Sequence, residues 1–532
     1  MSATKVGAIA IGLAGALAAS PAYSQSAGGG SDAEIALLKQ QLKMLEQKLD
    51  KLQKQTNANT ATAASANANA KAADAKAARV VTANAAIPVK GPVAPSGVVV
   101  TLPNNRPTIC TADEQNCIAI TSRIHWDVGG YDYRPNTAGT SPQKLDSGEN
   151  LRRARIGVIG KFFGDWNYAL IYDFGGSSDG FGGTAAGSLP GGGTSGVENA
   201  YLSYTGFKPF GGKMAIEGGI MDLAWTLDES TSSNDILFME RASAGIIAQN
   251  VAAGDFRSTV GSRWWNDQLW VGAYATGPTT GQIHSASSVT PPGSSEQYGA
   301  VVRVAGNPIS GNNYSVHIGA DAEWLIQPPR NLVTQAQTLT LSDRPELRID
   351  PTTLISTGAI ANVSGAQVYG VEAAATYGPL IAQGEYYWFN VDRTANTGLP
   401  PFGASSLKFD GGYAQVGYVL TGENHAYNPA TASYGGIKPH DPFSLASGGW
   451  GAWEIAGRVS QMNLNDQIGQ AVGIAGGRQT VYTAALNWYV NNNVRFMLNY
   501  LHGDVAKQAS ATSTADVGSK FDAVALRTQV AF

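Results

Sequence analysis

Thr480–Val490, TVYTAALNWYV, is followed at once by Asn493–Leu501, NVRFMLNYL, and the chain closes on Phe521–Phe532, FDAVALRTQVAF. In the first run Tyr482, Ala484, Leu486, Trp488 and Val490 alternate with Thr483, Ala485, Asn487 and Tyr489. In the second, Val494, Phe496, Leu498 and Tyr500 alternate with Arg495, Met497 and Asn499. In the last, Val524, Leu526, Thr528, Val530 and Phe532 oppose Ala523, Ala525, Arg527, Gln529 and Ala531. Side chains of a strand point to opposite faces with a period of two, so each run reads as a strand with one apolar face and one small or polar face. A soluble sandwich shows the same alternation. Aromatic strand ends, a terminal Phe and an export signal at the other end of the chain favour an outer-membrane barrel.

The pattern extends upstream. Residues 122–133, 153–163, 166–174, 199–207, 213–221, 267–277, 297–306, 314–326, 368–377, 380–391, 412–422 and 453–464 also alternate, separated by Gly, Asn, Asp and Pro. With the three runs above these make fifteen clear strands, with room for weaker ones. Residues 121–532 number 412, and at roughly 25 residues per strand with its share of turn and loop they hold about sixteen strands. That is porin size, wide enough for a water-filled lumen. Only 14% of the 532 residues are charged and 64 are Gly, which suits an apolar outer wall joined by glycine-rich turns. Mean hydropathy of −0.12 excludes a bundle of membrane helices.

The N-terminus carries an address and an arm. Lys5, the apolar run from Val6 to Ala19 and the small residues of Ala22-Tyr23-Ser24 form a signal peptide over residues 1–24. The apolar run is too short to span a bilayer. Over residues 31–55, Ile35, Leu38, Leu42, Leu45, Leu49 and Leu52 are spaced 3, 4, 3, 4, 3, the core pattern of a coiled-coil oligomerisation helix. Residues 56–108 are an Ala/Asn-rich and then Pro-rich linker. The expected fold is therefore all-β: a transmembrane antiparallel β-barrel over 109–532, preceded by a short coiled-coil helix and a flexible linker. The two cysteines, Cys110 and Cys117, read as a local disulfide in an exported chain.

Residues 448–466 (GGWGAWEIAGRVSQMNLND) and 476–502 (GGRQTVYTAALNWYVNNNVRFMLNYLH) resemble the C-terminal region of the phosphate-selective porin O and P family. Residues 151–174 (LRRARIGVIGKFFGDWNYALIYDF) and 207–243, with their FMER stretch, look like the earlier strands of that family. The resemblance implies a sixteen-stranded homotrimeric porin whose pore is lined by anion-binding Arg and Lys. It places the barrel in the outer membrane of a Gram-negative cell, against outer-membrane lipid, with the N-terminal arm in the periplasm.

Charge tempers that expectation. Residues 1–120 hold 11 basic and 7 acidic residues, leaving 36 − 11 = 25 basic and 40 − 7 = 33 acidic residues downstream, a net of −8. An anion-binding constriction needs concentrated donors, so the balance predicts a general or weakly selective pore. Parity nominates the inward basic residues. If even positions of 153–163 face lipid, Arg153, Arg155 and Lys161 face the lumen, and the same rule turns Arg303, Arg458, Arg495 and Arg527 inward. Arg241, Arg257 and Arg263 are expected on or near an inward-folded loop. Each of these arginines either draws anions or pairs with an inward acid such as Asp173, Glu217 or Glu454.

No catalytic motif is present: the six His show no metal-ligand spacing, and there is no nucleophile elbow or phosphate loop. The Gly-rich run 175–196 reads as an extracellular loop. The expected function is passive diffusion of small hydrophilic solutes and ions, with an anion or phosphate preference, without metal, cofactor or nucleic-acid partner. The alternative is an envelope tether, in which the arm contacts the cell wall and the barrel is mainly an anchor.

Overall fold

The computed structural model describes residues 97–532 apart from 137–143, 176–195, 255–256, 280–294, 332 and 395–405, together with Lys43, Gln47, Asp50, Gln53 and Lys54, which are helical. The signal peptide, the six heptad residues, the linker as far as residue 96 and the Gly-rich run 176–195 lie outside the described residues.

The barrel is preceded by a hairpin of β1 (Val98–Thr101) and β2 (Thr108–Thr111). A disulfide joins Cys110 at the end of β2 to Cys117, the first residue of β3 (Cys117–Pro135). There follow β4 (Gly148–Phe162), β5 (Trp166–Asp173), β6 (Gly196–Tyr204), β7 (Lys213–Met221), β8 (Arg257–Trp265), β9 (Leu269–Thr279), β10 (Tyr298–Gly311) and β11 (Tyr314–Gln327). The second half comprises β12 (Val363–Tyr377), β13 (Leu380–Arg393), β14 (Leu407–Val419), β15 (Ala452–Asp466), β16 (Ile474–Tyr489), β17 (Val494–Ala506) and β18 (Ser519–Ala531). Every neighbouring pair from β3 to β18 is antiparallel, and β18 pairs back onto β3 from Ser519↔Pro135 to Ala531↔Arg123, closing sixteen strands into a barrel.

Fifteen of these strands coincide with the alternating segments of the sequence. The sixteenth, β8, has the outward residues Ser258, Val260, Ser262 and Trp264, too polar a face to register as a membrane strand. The finding also relocates two residues: Arg257 and Arg263, expected on or near an inward loop, lie on this barrel strand. Outward positions elsewhere are apolar and exposed, among them Ile118, Ile120, Ile124, Trp126 and Val128 along β3.

Register shifts interrupt several of the strand pairs, and two of them turn a charged residue inward. His125 pairs with Arg153 but Trp126 pairs with Leu151, so Arg152 is an extra residue in β4 and joins Arg153 on the inside. Ile171 pairs with Asn199 but Tyr172 with Val197, which turns Glu198 of β6 inward in the same way.

One end of the barrel has short turns, such as 163–165, 266–268, 312–313 and 378–379. In the first of these Phe163 and Gly164 both take positive φ to reverse the chain. The other end carries the long connections. In outer-membrane barrels the short turns are periplasmic and the long loops extracellular. From the long end, residues 222–254 (the lumen loop) and the described part of 328–362 fold into the barrel. The lumen loop carries α1 (Leu227–Ser230) and α2 (Ser243–Gln249) and buries Trp225, Leu227, Phe238, Met239 and Ile247. One connection at the short end is also long: residues 420–451 bury Ala432 and Tyr434, and Tyr434 packs in a cluster with Leu227 and Phe238 of the lumen loop.

Candidate functional site

The lumen loop is fixed by charged groups on the wall. Glu385 of β13 accepts hydrogen bonds from the backbone N–H of Leu227 (2.8 Å) and Asp228 (3.2 Å) at the start of α1. Glu346, on the 328–362 segment, accepts from Ser243 N (3.0 Å) at the start of α2, and Glu323 of β11 accepts from Ala252 N (2.8 Å). The first N–H groups of a helix have no intrahelical acceptor, so Glu385 and Glu346 satisfy donors that the fold would otherwise bury unpaired, and Glu323 does the same for the turn beyond α2. Much of the acidic excess thus holds the loop.

Arginines hold the loop's carbonyls in turn. Arg458 donates to Glu240 O (2.9 Å) and to Glu346 (2.6 Å). Arg527 forms two 2.7 Å bonds to Asp127, one of 2.7 Å to Glu240, and a further bond to Met239 O. Arg152 grips Glu240 through Nε (2.9 Å) and Nη2 (3.0 Å). Arg241 stays within the loop, donating to Thr231 O at 2.9 Å, and Arg257 donates to Ala253 O at 3.2 Å. Arg303 binds Glu372 (3.0 Å) and reaches both inward connections, with Ser230 Oγ at 2.6 Å and Ala432 O at 2.8 Å. Removing one partner from such a buried pair costs about 3–5 kcal/mol because the other charge stays buried.

The short-end connection is pinned by His425. Its Nδ1 faces Gly435 O at 2.9 Å and its Nε2 faces Glu454 at 2.7 Å. Both atoms opposite the ring are acceptors, so both nitrogens must donate and the ring is an imidazolium. Burial opposes that charge, but Glu454 outweighs it and holds the histidine above its ordinary value.

The passage lies between the lumen loop and the wall of β3–β8. A cavity of about 290 Å³ is lined by Arg123, Arg153, Arg155, Arg241 and Arg263 together with Glu198, Glu217, Asp222 and Glu229. A second, of about 300 Å³, leads to the short-turn rim past Arg106, Arg123, Arg495, Gln529 and the asparagines 491–493. The two share Thr121, Ser122, Arg123 and Ser232, so Arg123 stands at their junction.

The arginines of this passage differ in their partners. Arg155 is neutralised by Asp173 (2.8 Å) and by a short contact to Glu198, and Arg263 lies 3.4 Å from Glu217. Arg123, by contrast, donates to the hydroxyls of Ser233 (2.5 Å) and Ser232 (3.1 Å) and forms no ion pair among the described residues. Arg495 donates to the carbonyls of Asn234 (3.1 Å) and Ile236 (2.9 Å) and packs 4.5 Å from the ring centre of Tyr489. Arg153 faces the acceptor Nδ1 of His125 at 3.4 Å and stands 3.9 Å from Glu240. Lys161 is half-buried on the inward parity of β4 near the short-turn end, away from both cavities.

Sequence parity brought Arg153, Arg155 and Arg495 to this passage but missed Arg123 and Arg106 there, and it missed the bulged Arg152 that holds the lumen loop. The reading of 122–133 did contain Arg123, on the parity opposite Ile124 and Trp126, and that signal was available.

A family model described as phosphate-selective porin O and P matches residues 118–532. Porin O of Pseudomonas aeruginosa is 24% identical over 434 residues, covering 75% of this chain and 85% of that protein. An uncharacterized protein of Caulobacter vibrioides is 29% identical over 475 residues, covering 88% of this chain and 83% of the relative. Among solved structures, the outer membrane channel DcaP of Acinetobacter baumannii aligns with a TM-score of 0.43 at 9% identity, covering 80% of this chain and 99% of that one. The anion-selective porin from Comamonas acidovorans aligns with a TM-score of 0.40 at 13% identity, covering 78% and 100%.

Proposed function

The chain belongs to the phosphate-selective porin O and P family and is an outer-membrane channel, and from this premise we propose that it passes small hydrophilic solutes by passive diffusion, with a preference for anions. One observation carries the preference: Arg123, a guanidinium hydrogen-bonded to hydroxyls and in ion-pair contact with no carboxylate among the described residues, stands where the two cavities meet. A positive group that no carboxylate contacts directly raises the local anion concentration in a narrow, low-dielectric passage. Arg153 above it and Arg495 and Arg106 below it extend the path toward the short-turn rim. Arg155, Arg241 and Arg263 contribute less field because acids stand beside them, while Arg257, Arg303, Arg458 and Arg527 hold the inward connections in place. Lys161 would act only as a weak attractor beyond the narrowest part.

In this reading the arm before β1 lies in the periplasm. The support is that β1 and β2 join β3 at the short-turn end. The heptad at 31–55 would then gather copies of the chain into the trimer that the family resemblance implies.

Planar-bilayer recording of the purified protein tests the reading. Discrete conductance steps with a reversal potential on the anion side under a salt gradient are expected. Steps with cation preference would overturn the anion assignment, and no steps from folded protein would overturn the channel.

A further inference from the structure

We propose that the passage is built for polyhydroxylated monocarboxylates, sugar acids of the hexonate class, in preference to inorganic phosphate; the inference rests on the channel reading above. Hydrogen phosphate near neutral pH keeps an O–H or two, but most of its oxygens only accept, so it wants donors on most sides, and each carboxylate beyond those that take its protons is a penalty. A sugar acid has one planar carboxylate, and each of its hydroxyls must both donate and accept.

The upper cavity answers the second description. Its five guanidiniums stand among four carboxylates, a formal balance of only +1. That balance attracts a monoanion but repays little of the cost of drying a dianion. The cavity also presents hydroxyls from Thr121, Ser122, Ser230, Ser232, Ser233 and Thr431, each able to give and take a hydrogen bond. Below Arg123 one carboxylate, Asp235, stands with Arg106 and Arg495, and the rest of the polar wall is mainly amides, Asn234, the asparagines 491–493 and Gln529, which again offer both roles. No lysine lines either cavity. The cations are planar guanidiniums, whose paired N–H groups match the two oxygens of a carboxylate.

Arg123 fixes the orientation. Its Nη1 and Nη2 now occupy the Oγ atoms of Ser233 and Ser232. A carboxylate arriving at the junction replaces these hydroxyls on the guanidinium and frees them for the ligand's own hydroxyl groups. The exchange conserves hydrogen bonds for a hydroxy acid. For acetate it leaves the two serines without new partners in the ligand. A cavity of about 290 Å³ admits a six-carbon acid.

The test measures block of the chloride current through the full-length protein in planar bilayers. Sodium gluconate, acetate and phosphate are added in turn at pH 7 and constant ionic strength. Gluconate is expected to half-block at a concentration at least tenfold below acetate, and below phosphate. In the S232A/S233A variant the gluconate value should rise toward that of acetate, and R123A should weaken both carboxylates. Phosphate as the strongest blocker, or gluconate no better than acetate, overturns the proposal while the chloride steps keep the channel reading intact. Absence of chloride steps overturns both. The comparison among the three anions in the unsubstituted protein decides the matter even if a variant fails to fold.

Discussion

Glu240→Gln isolates the electrostatic part of the design. Glu240 sits in a buried cluster with Arg152, Arg153, Arg527 and Asp127, three positive charges against two negative. The substitution keeps the shape and leaves three against one. Arg153 lines the passage and is 3.9 Å from Glu240, so the lost charge lies about one side chain from a permeating ion. At ~8 Å in water, Coulomb's law gives ~0.5 kcal/mol, a factor of about 2.4 for one ion. The effect has opposite signs for anion and cation, so it is squared in their ratio to about sixfold. Screening with a Debye length of about 10 Å at 0.1 M salt attenuates it to about twofold. The expected result is a roughly two- to sixfold rise in chloride-over-potassium permeability from reversal potentials at 0.1 M, shrinking toward no change at 1 M. Loss of one of the two bonds to Arg152 also lowers stability by about 1–3 kcal/mol, read from the denaturation midpoint of the folded barrel. A shift toward cations, or one that persists unchanged at 1 M salt, would refute the placement of this cluster beside the path.

Four other outcomes are expected. R153A should lower anion permeability more than R155A, because Asp173 and Glu198 already neutralise Arg155; equal effects in reversal potential would contradict this. The raised pKa of His425 sets a pH window: its stabilisation is complete below the roughly 6.5 of an unfolded histidine and is lost as pH rises through the higher folded value. Cleavage of the 420–451 connection by added protease should therefore increase between pH 6 and pH 9, and H425Q should flatten that dependence; Glu454, Asp235, Arg495 and Tyr489 are the charged and titratable neighbours whose titration the variant controls for. Replacing Cys110 and Cys117 by Ser should cost at most about 2.5 kcal/mol, since the closed loop is short, and should expose the β1–β2 hairpin to protease while the barrel keeps its resistance. E385Q should loosen α1, seen as noisier open-channel current, because Glu385 accepts from both Leu227 N and Asp228 N.

The barrel was legible because lipid on one side and water on the other impose a strict period of two, and fifteen strands display it. Strand β8 escaped since Ser258 and Ser262 stand where apolar side chains were sought. The lumen loop was harder to read for a related reason. It is packed between wall and passage, so 236–239 is apolar on all sides and carries no period. Parity arithmetic also assumes an unbroken strand, and it cannot see Arg152 or Glu198 because a bulge adds a residue without any composition mark. The acidic excess read as a sign against anion passage. It counted Glu385, Glu346 and Glu323, which bind backbone N–H groups of the lumen loop, with the carboxylates that line the path. Net charge alone cannot separate these uses.

The bulge at Arg152 has a consequence for how this gene tolerates small deletions. Within a regular strand, losing one residue inverts every side chain beyond it, turning the lipid face into the water face. Removing Val158 from β4 would do this. Removing Arg152 would not: Leu151 would still pair with Trp126 and Arg153 with His125, and the ladder would become continuous. The strand therefore carries one position where a codon can vanish and the membrane surface survives, while the two-pronged grip of Arg152 on Glu240 is lost. Such a position lets the grip on the lumen loop change by loss of a residue while the wall that holds the protein in its membrane keeps its frame.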